Sequence, residues 1–170
     1  MKLVILAFTL VRIAVSAETA KLSIGVVDLQ KALQTVDAGK KAKAQLEKEV
    51  SAKKLELEKK QKAIQTEAEQ FEKKAAILND TAKAQKHGEL QKKAMEWQKE
   101  AQESQMEFQK KERDLTLPIL NDLRSIAEAI GKEKGLQLIV EKNESGVLFS
   151  ENGSDQTDLV IERFDKKKKK

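Results

Sequence analysis

Residues 50–78, VSAKKLELEKKQKAIQTEAEQFEKKAAIL, decide the fold of this chain. Apolar side chains occupy every seventh position of the stretch, namely Val50, Leu57, Ile64, Phe71 and Leu78. Four residues after each of the first four, the chain has Lys, Gln or Ala, so the second seam position of the heptad is polar or small. The stretch contains no proline and consists mainly of strong helix formers. It therefore predicts a long helix with a thin apolar seam.

A second heptad run follows and ends at residue 115. Its seam residues are Ala94, Ala101, Phe108 and Leu115. Leu90 and Trp97 lie four residues before the first two of these. Between the two runs, residues 79–81, Asn-Asp-Thr, are typical of a turn and a helix cap. Folding the chain back there brings Phe71 near Leu90 and Ile64 near Trp97. The sequence thus predicts an antiparallel helical hairpin, here called the arm, over residues 40–115, with a first helix about 57 Å long.

Shorter elements flank the arm on its N-terminal side. Residues 22–27 alternate apolar side chains and predict a strand. Asp28 can cap a short helix that runs to Leu33. Within the arm itself, Gly88 lies in the second helix and weakens it by about 1 kcal/mol relative to alanine. We therefore expect a hairpin that holds together but bends easily.

On the C-terminal side, Pro118 is expected to kink the chain or restart a helix, and Gly135 to end that helix. Residues 136–141 and 147–149 predict two further strands, and residues 157–164 a closing helix. Residues 18–39 and 116–165 together are called the body. The predicted class is α+β, with a small body that carries the long arm.

Three strands bury too little apolar surface to be stable alone, and their edges favour pairing with another chain. Copies of the body are therefore expected to join into a shared barrel-like sheet. The apolar faces of the strands supply the predicted oligomer interface, formed by Leu22, Ile24, Val26, Leu138 and Val140.

Residues 1–17 have the composition of a secretory signal peptide. Lys2 precedes an apolar run from Leu3 to Val15, and small residues lead to a predicted cleavage site between Ala17 and Glu18. The run is shorter than the roughly 20 apolar residues that a membrane span requires. The sequence therefore predicts an exported protein of the periplasm, with an uncleaved anchor as the alternative.

The charge is unevenly distributed along the chain. The arm has 19 basic and 15 acidic residues, an excess of +4, although the lysines and glutamates are interleaved. Residues 166–170 are a run of lysines, most simply a solvated basic tail, with attraction to an anionic membrane or lipopolysaccharide as the alternative. No basic stripe with aromatic residues is present, which argues against nucleic acid as a partner.

Nothing in the sequence indicates an enzyme. The chain has no cysteine, and its single histidine, His87, lies in a predicted helix without nearby residues at metal-ligand spacing. No phosphate-binding loop or nucleophile motif is found. We expect no catalytic, cofactor or metal site.

Several segments resemble the Skp/OmpH family of periplasmic chaperones. These are Ile24-Gly-Val-Val-Asp-Leu-Gln-Lys-Ala-Leu33, Gly39-Lys-Lys-Ala-Lys-Ala-Gln-Leu46, Lys132-Glu-Lys-Gly-Leu-Gln-Leu-Ile-Val-Glu141 and Thr157-Asp-Leu-Val-Ile-Glu-Arg-Phe164. The resemblance implies a trimer with a β-barrel-like body, whose arms enclose unfolded outer-membrane proteins without ATP or metal. Some members contact lipopolysaccharide, but no residues here match such a site. A structural coiled-coil protein of the cell envelope is the alternative.

Five large apolar residues of the arm are the candidates for contact with such clients. Phe71 and Trp97 fit the heptads, so packing in the seam is the simpler interpretation for both. Leu55, Met95 and Met106 lie off the seam, and the flexible thioethers of the methionines suit promiscuous apolar contacts. Holding is therefore expected to depend on the arm.

Overall fold

The computed structural model describes residues 22–150 and 154–168. The elements are β1 (Ile24–Val27), α1 (Leu29–Thr35), α2 (Asp37–Lys74), a single 3-10 turn (Ala75–Ile77), α3 (Asp80–Glu133), β2 (Leu138–Glu141) and α4 (Thr157–Lys168). The predicted signal peptide and its cleavage site at Ala17 and Glu18 lie outside the described residues.

The predicted hairpin is confirmed. α2 has 38 residues and is about 57 Å long, and α3 returns antiparallel beside it. The turn is fixed by Asn79, whose side chain accepts a 2.8 Å hydrogen bond from the backbone N–H of Ala82. This cap satisfies one of the free N–H groups at the start of α3. The arm was predicted to begin at residue 40, but its first helix, α2, begins at Asp37.

Close packing at the base of the arm requires a glycine. A Cβ atom added to Gly39 would lie 1.7 Å from the carbonyl oxygen of Leu33, near the end of α1. The missing side chain lets α2 begin directly after α1, with only Val36 between them. Val36 itself is fully buried and forms part of the core.

The hydrophobic core lies in the body. In the described part of the chain, every buried apolar side chain belongs to β1, α1, Val36, the end of α3, or α4. Leu123 and Ile130 of α3 and Phe164 of α4 are at most 1% exposed. Burial of a side chain of this size contributes about 1.5–3 kcal/mol. The arm emerges from this core as a hairpin whose apolar side chains are only partly covered.

Of the two outcomes expected at Pro118, a kink or a helix restart, the restart is wrong, because α3 continues through the proline to Glu133. Proline in a helix interior costs about 3 kcal/mol, since one backbone hydrogen bond is lost. The next turns of α3 carry Leu123 and Ile126 into the core, and their burial outweighs that cost. Gly135 does end the helix as predicted, with a φ of 64° and a 2.9 Å hydrogen bond from Leu136 N to Gly131 O.

The sheet has two strands. β1 and β2 pair in parallel, with Ile24 opposite Leu138 and Val26 opposite Val140. On its other side, β1 is bonded to the segment before α4, through a 2.8 Å hydrogen bond from Gln156 N to Val26 O. Residues 147–149 form no strand, contrary to prediction. Both edges of β1 are occupied, so these residues have no partner there, and Leu148 and Phe149 are 101% and 83% exposed.

The lysine run also differs from the prediction. Its first three residues form the last turn of α4 rather than a tail. The ammonium groups of Lys167 and Lys168 lie 3.6 Å and 3.1 Å from the carboxylate of Asp122 on α3. Cations at the end of a helix also interact favourably with its dipole. These contacts explain why the helix extends beyond residue 164.

Candidate functional site: the helical arm

The seam of the arm is thin, as the heptads predicted. Leu57, Ile64, Phe71 and Leu78 of α2 are only partly buried, and Val50 is 37% exposed. The residues that face them on α3 include the small Ala101 and Ser104. Because small side chains lie where a coiled coil needs large ones, the two helices leave apolar surface uncovered.

This shortage of side-chain volume opens a groove between the helices. The groove has a volume of about 530 Å³, and its apolar wall includes Leu46, Val50, Leu57, Trp97 and Phe108. The Trp97 indole is held in place by a hydrogen bond to the opposite helix. On the other side of the hairpin, the same indole and Ile64 border a second cleft of about 350 Å³. The arm thus presents two clefts with partly apolar walls, one on each side of the Trp97 ring.

Charged clusters hold the two helices together where the seam is weak. The Glu100 carboxylate on α3 accepts hydrogen bonds of 2.7 Å from both Lys53 and Lys60 of α2. These two ammonium groups lower the pKa of Glu100 to about 2. The cluster bridges the hairpin at the level of the apolar groove.

A second cluster bridges the hairpin closer to its tip. The Glu67 carboxylate on α2 accepts bonds of 2.6 Å from Lys86 and from Lys93 of α3, which lower the pKa of Glu67 to about 2. At the base of the arm, Lys111 pairs with Glu49 in the same way and lowers the pKa of that carboxyl. A single ion pair on an exposed surface contributes little to stability. The three sites are therefore considered together and are called the clamps of the arm.

The five candidate client residues lie in two places. Phe71 and Trp97 lie half-buried between the helices, as packing in the seam requires. Leu55, Met95 and Met106 are 53%, 56% and 55% exposed and point away from the seam. The structure therefore does not bring the five together into one site. Leu117 is 53% exposed as well, and it was not among the candidates because it lies beyond residue 115, where the predicted arm ends.

The predicted interface residues of the body have unequal exposure. Leu22, Ile24 and Leu138 are 63%, 38% and 49% exposed, and Val140 is partly exposed. Val26 is only 3% exposed within a single chain, so it offers little surface to a second copy. Its inclusion rested on strand alternation alone, which does not reveal that the segment before α4 is hydrogen-bonded to the other edge of β1.

The described residues meet neither the requirements of a metal site nor those of a membrane span. Among the described residues, no group of His, Cys, Asp and Glu side chains could hold a metal ion. His87 is exposed on α3. In the same part of the chain, no helix combines the length and the apolar character that crossing a bilayer requires.

A family model described as "Outer membrane protein (OmpH-like)" matches residues 23–164. The chain belongs to the OmpH-like family. The matched segment includes the arm and nearly all of the described body, so the resemblance seen in the sequence is confirmed. A search of curated proteins finds no match to this OmpH-like chain.

A crystal structure from Caulobacter crescentus CB15 shares the fold of this OmpH-like chain. That protein is described as a candidate outer membrane chaperone (OmpH-like). The TM-score is 0.75 at 21% sequence identity, and the match covers 87% of this chain and 86% of the other. At this identity the likeness concerns the fold, in which a small body carries a long helical hairpin.

Proposed function

We propose that this chain is an ATP-independent holding chaperone that binds unfolded outer-membrane proteins in the periplasm and delivers them for assembly. The observation that carries the proposal is the arm itself. Its helices leave a groove of about 530 Å³ uncovered and keep Leu55, Met95 and Met106 more than half exposed. A spacer coiled coil would instead be stabilised by burying such side chains. Exposed apolar surface on a soluble protein is typical of an interaction site.

Holding an unfolded chain requires many weak contacts rather than one tight site. Apolar side chains spread along the arm can each bury part of a client residue. The interleaved lysines and glutamates keep the arm soluble. Its excess charge of +4 attracts acidic clients at long range. Release needs no nucleotide, because a client that folds into the membrane leaves the binding equilibrium.

We further propose that the body assembles copies of the chain into a homo-oligomer, a trimer by family resemblance. Two features support this. The face of the sheet turned away from the core carries exposed Ile24 and Leu138. Within the described residues, β2 is hydrogen-bonded on one side only, and the groove of about 400 Å³ beside it contains Val27 and Ile139. A free strand edge beside an apolar face favours pairing with another chain.

The experiment that tests the holding function follows the aggregation of an unfolded outer-membrane β-barrel protein. The barrel protein is diluted from urea into buffer, and light scattering is recorded with and without the mature chaperone. We expect scattering to be suppressed at a molar ratio near one chaperone oligomer per client, equally with and without ATP. An absence of suppression, or a requirement for ATP, would refute the proposed function.

A further inference from the structure

Three exposed apolar side chains of α3 are spaced eleven residues apart. They are Met95, Met106 and Leu117, which are 56%, 55% and 53% exposed. Eleven residues make close to three turns of an α-helix, so successive members shift by only about 20° around the helix axis. The three side chains therefore lie in one nearly straight row, here called the α3 rail. Its length is about 33 Å at 1.5 Å per residue.

Basic and acidic residues lie on different sides of α3 along the rail. At about 100° per residue, Lys99, Lys110 and Arg113 share the sector of the rail. The acidic residues between 91 and 117 fall outside it, and these are Glu96, Glu100, Glu103, Glu107, Glu112 and Asp114. In the part of the chain that the structure describes, Lys110 and Arg113 form no ion pair, and Lys99 lies 3.7 Å from Glu103. The rail is an apolar row flanked by cations.

Several acidic residues next to this sector have ion-pair partners of their own. Glu100 faces the seam and bridges to Lys53 and Lys60 of α2, while Glu96 and Glu103 pair along α3 itself with Lys92 and Lys99. The rail lies on the opposite side of α3 from the seam. Among the described residues, Lys110 and Arg113 are therefore the rail cations without an ion pair, whereas Lys99 is partly neutralised by Glu103.

We infer that the α3 rail binds one extended strand of an unfolded client, with apolar residues on alternate positions and carboxylates among its polar positions. This inference rests on the proposed function. A transmembrane β-strand has about 9–11 residues at about 3.3 Å each, which gives about 30–36 Å and matches the rail. Strands of outer-membrane barrels alternate apolar and polar side chains. The cations beside the rail select carboxylates on the polar positions.

Photocrosslinking on the full-length mature chain tests the location. A benzophenone amino acid replaces Gln102 in the rail sector or, as the control, Glu107, which is exposed on α3 outside that sector. The probe is an unfolded outer-membrane β-barrel protein diluted from urea. We expect crosslinks to the client from position 102 at several times the yield from position 107. Equal yields, or crosslinks from position 102 to a second copy of the chain, would overturn the inference.

A triple variant, Met95→Gln with Met106→Gln and Leu117→Gln, tests the apolar row. Client dissociation should become about tenfold faster, a loss of about 1.4 kcal/mol in binding. The control is Ile77→Gln, which removes an 84% exposed apolar side chain at the tip of the arm and should leave the dissociation rate unchanged. If the triple variant holds the client as long as the unmodified chain does, the inference fails while the holding function stands. If the unmodified chain holds no client, the proposed function fails first.

Charge selection is tested with two ten-residue peptides that alternate leucine with polar residues. Two polar positions are glutamate in one peptide and lysine in the other. The glutamate peptide should compete with the client at least threefold better, and the variant Lys99→Gln with Lys110→Gln and Arg113→Gln should abolish the difference. The matched control removes the same charge from α2, in Lys59→Gln with Lys62→Gln and Lys73→Gln. This control should preserve the difference in competition between the two peptides. Equal competition by both peptides would contradict the proposed selection.

Discussion

The indole Nε1 of Trp97 on α3 donates a 2.9 Å hydrogen bond to the backbone carbonyl of Leu57 on α2. It ties the two helices of the arm together at the apolar groove. A half-buried ring in a seam of small residues is thus both a packing element and a polar anchor. Two different substitutions can separate these roles.

Trp97→Phe keeps an aromatic ring but removes the donor, so the free energy of unfolding should fall by about 1 kcal/mol. Trp97→Ala also removes the ring, and the loss should reach about 3 kcal/mol, near the lower bound for aromatic truncation because the site is half-exposed. Urea unfolding monitored by far-ultraviolet circular dichroism measures both. The exposed Met95→Ala should change stability by less than about 0.5 kcal/mol. Equal losses for Trp97→Phe and Trp97→Ala would show that packing of the ring is unimportant.

The carboxylate clamps predict how the arm responds to acid. The pKa values of Glu67 and Glu100 lie near 2 in the folded chain, below the usual 4.5. A lowered pKa stabilises the folded state above the unfolded pKa, and the contribution is lost as pH falls from about 4.5 toward 2. The thermal midpoint should fall over this range. The thermal midpoint of the double variant Glu67→Gln with Glu100→Gln should fall less over this range. The control, Glu69→Gln with Glu72→Gln, should lose as much as the unmodified chain. An identical acid response in all three proteins would contradict the role of the clamps.

Two glycines of the helices should respond oppositely to alanine. A Cβ at Gly39 would meet the Leu33 carbonyl, so Gly39→Ala should destabilise the chain by about 3 kcal/mol, the upper part of the range for overpacking. Gly88 is exposed in mid-helix, and a Cβ added there would have no neighbouring atom within 4 Å, so Gly88→Ala should stabilise the chain by about 1 kcal/mol. Urea unfolding of the two variants tests both signs. Stabilisation by Gly39→Ala would contradict the close approach of α2 to the Leu33 carbonyl at the end of α1.

The proposed oligomer should depend on the body and not on the arm. Placing charges on the exposed sheet face, in Ile24→Glu with Leu138→Glu, should convert the oligomer to a monomer, because burial of unpaired carboxylates is unfavourable. Static light scattering gives the mass in solution. Leu55→Glu places the same charge on the arm and should leave the mass unchanged. A monomeric Leu55→Glu variant beside an oligomeric sheet variant would assign assembly to the arm.

Export should remove residues 1–17. The short apolar run and the small residues before Glu18 predict a mature chain that begins there. Sequencing the N-terminus of protein recovered from the periplasmic fraction tests this. A chain that keeps Met1 and remains in the membrane fraction would contradict it and favour the anchored coiled-coil alternative.

The arm could be predicted from the sequence because its signals are local. The heptads from Val50 to Leu78 specify the apolar face of α2, and Asn79 specifies the turn through its own side chain. These patterns depend on residues close together in the chain. The candidate residues Leu55, Met95 and Met106 were likewise recognised as lying off the seam, and their exposure in the structure agrees with that placement.

The remaining features depend on distant partners, which a local pattern does not reveal. α3 continues through Pro118 because its next turns pack on α4 and α1. Residues 147–149 have strand composition, but both edges of β1 are occupied and the residues do not pair with the outer edge of β2 within one chain. Val26 is covered because β1 is bonded on both sides. The α3 rail was not predicted, since the predicted arm ended at residue 115 and Leu117 lies beyond it.

The parallel pairing of Ile24 with Leu138 joins two strands that are separated in the chain by the whole arm. β1 therefore has no strand to pair with until residues 138–141 have been synthesised. The hairpin turns at Asn79, where its contacts are local, so it can begin to form before β2 is available. Once folded back, it brings the two halves of the body together and shortens the loop that must close. Formation of the hairpin would thus lower the entropic cost of pairing the two strands of the body.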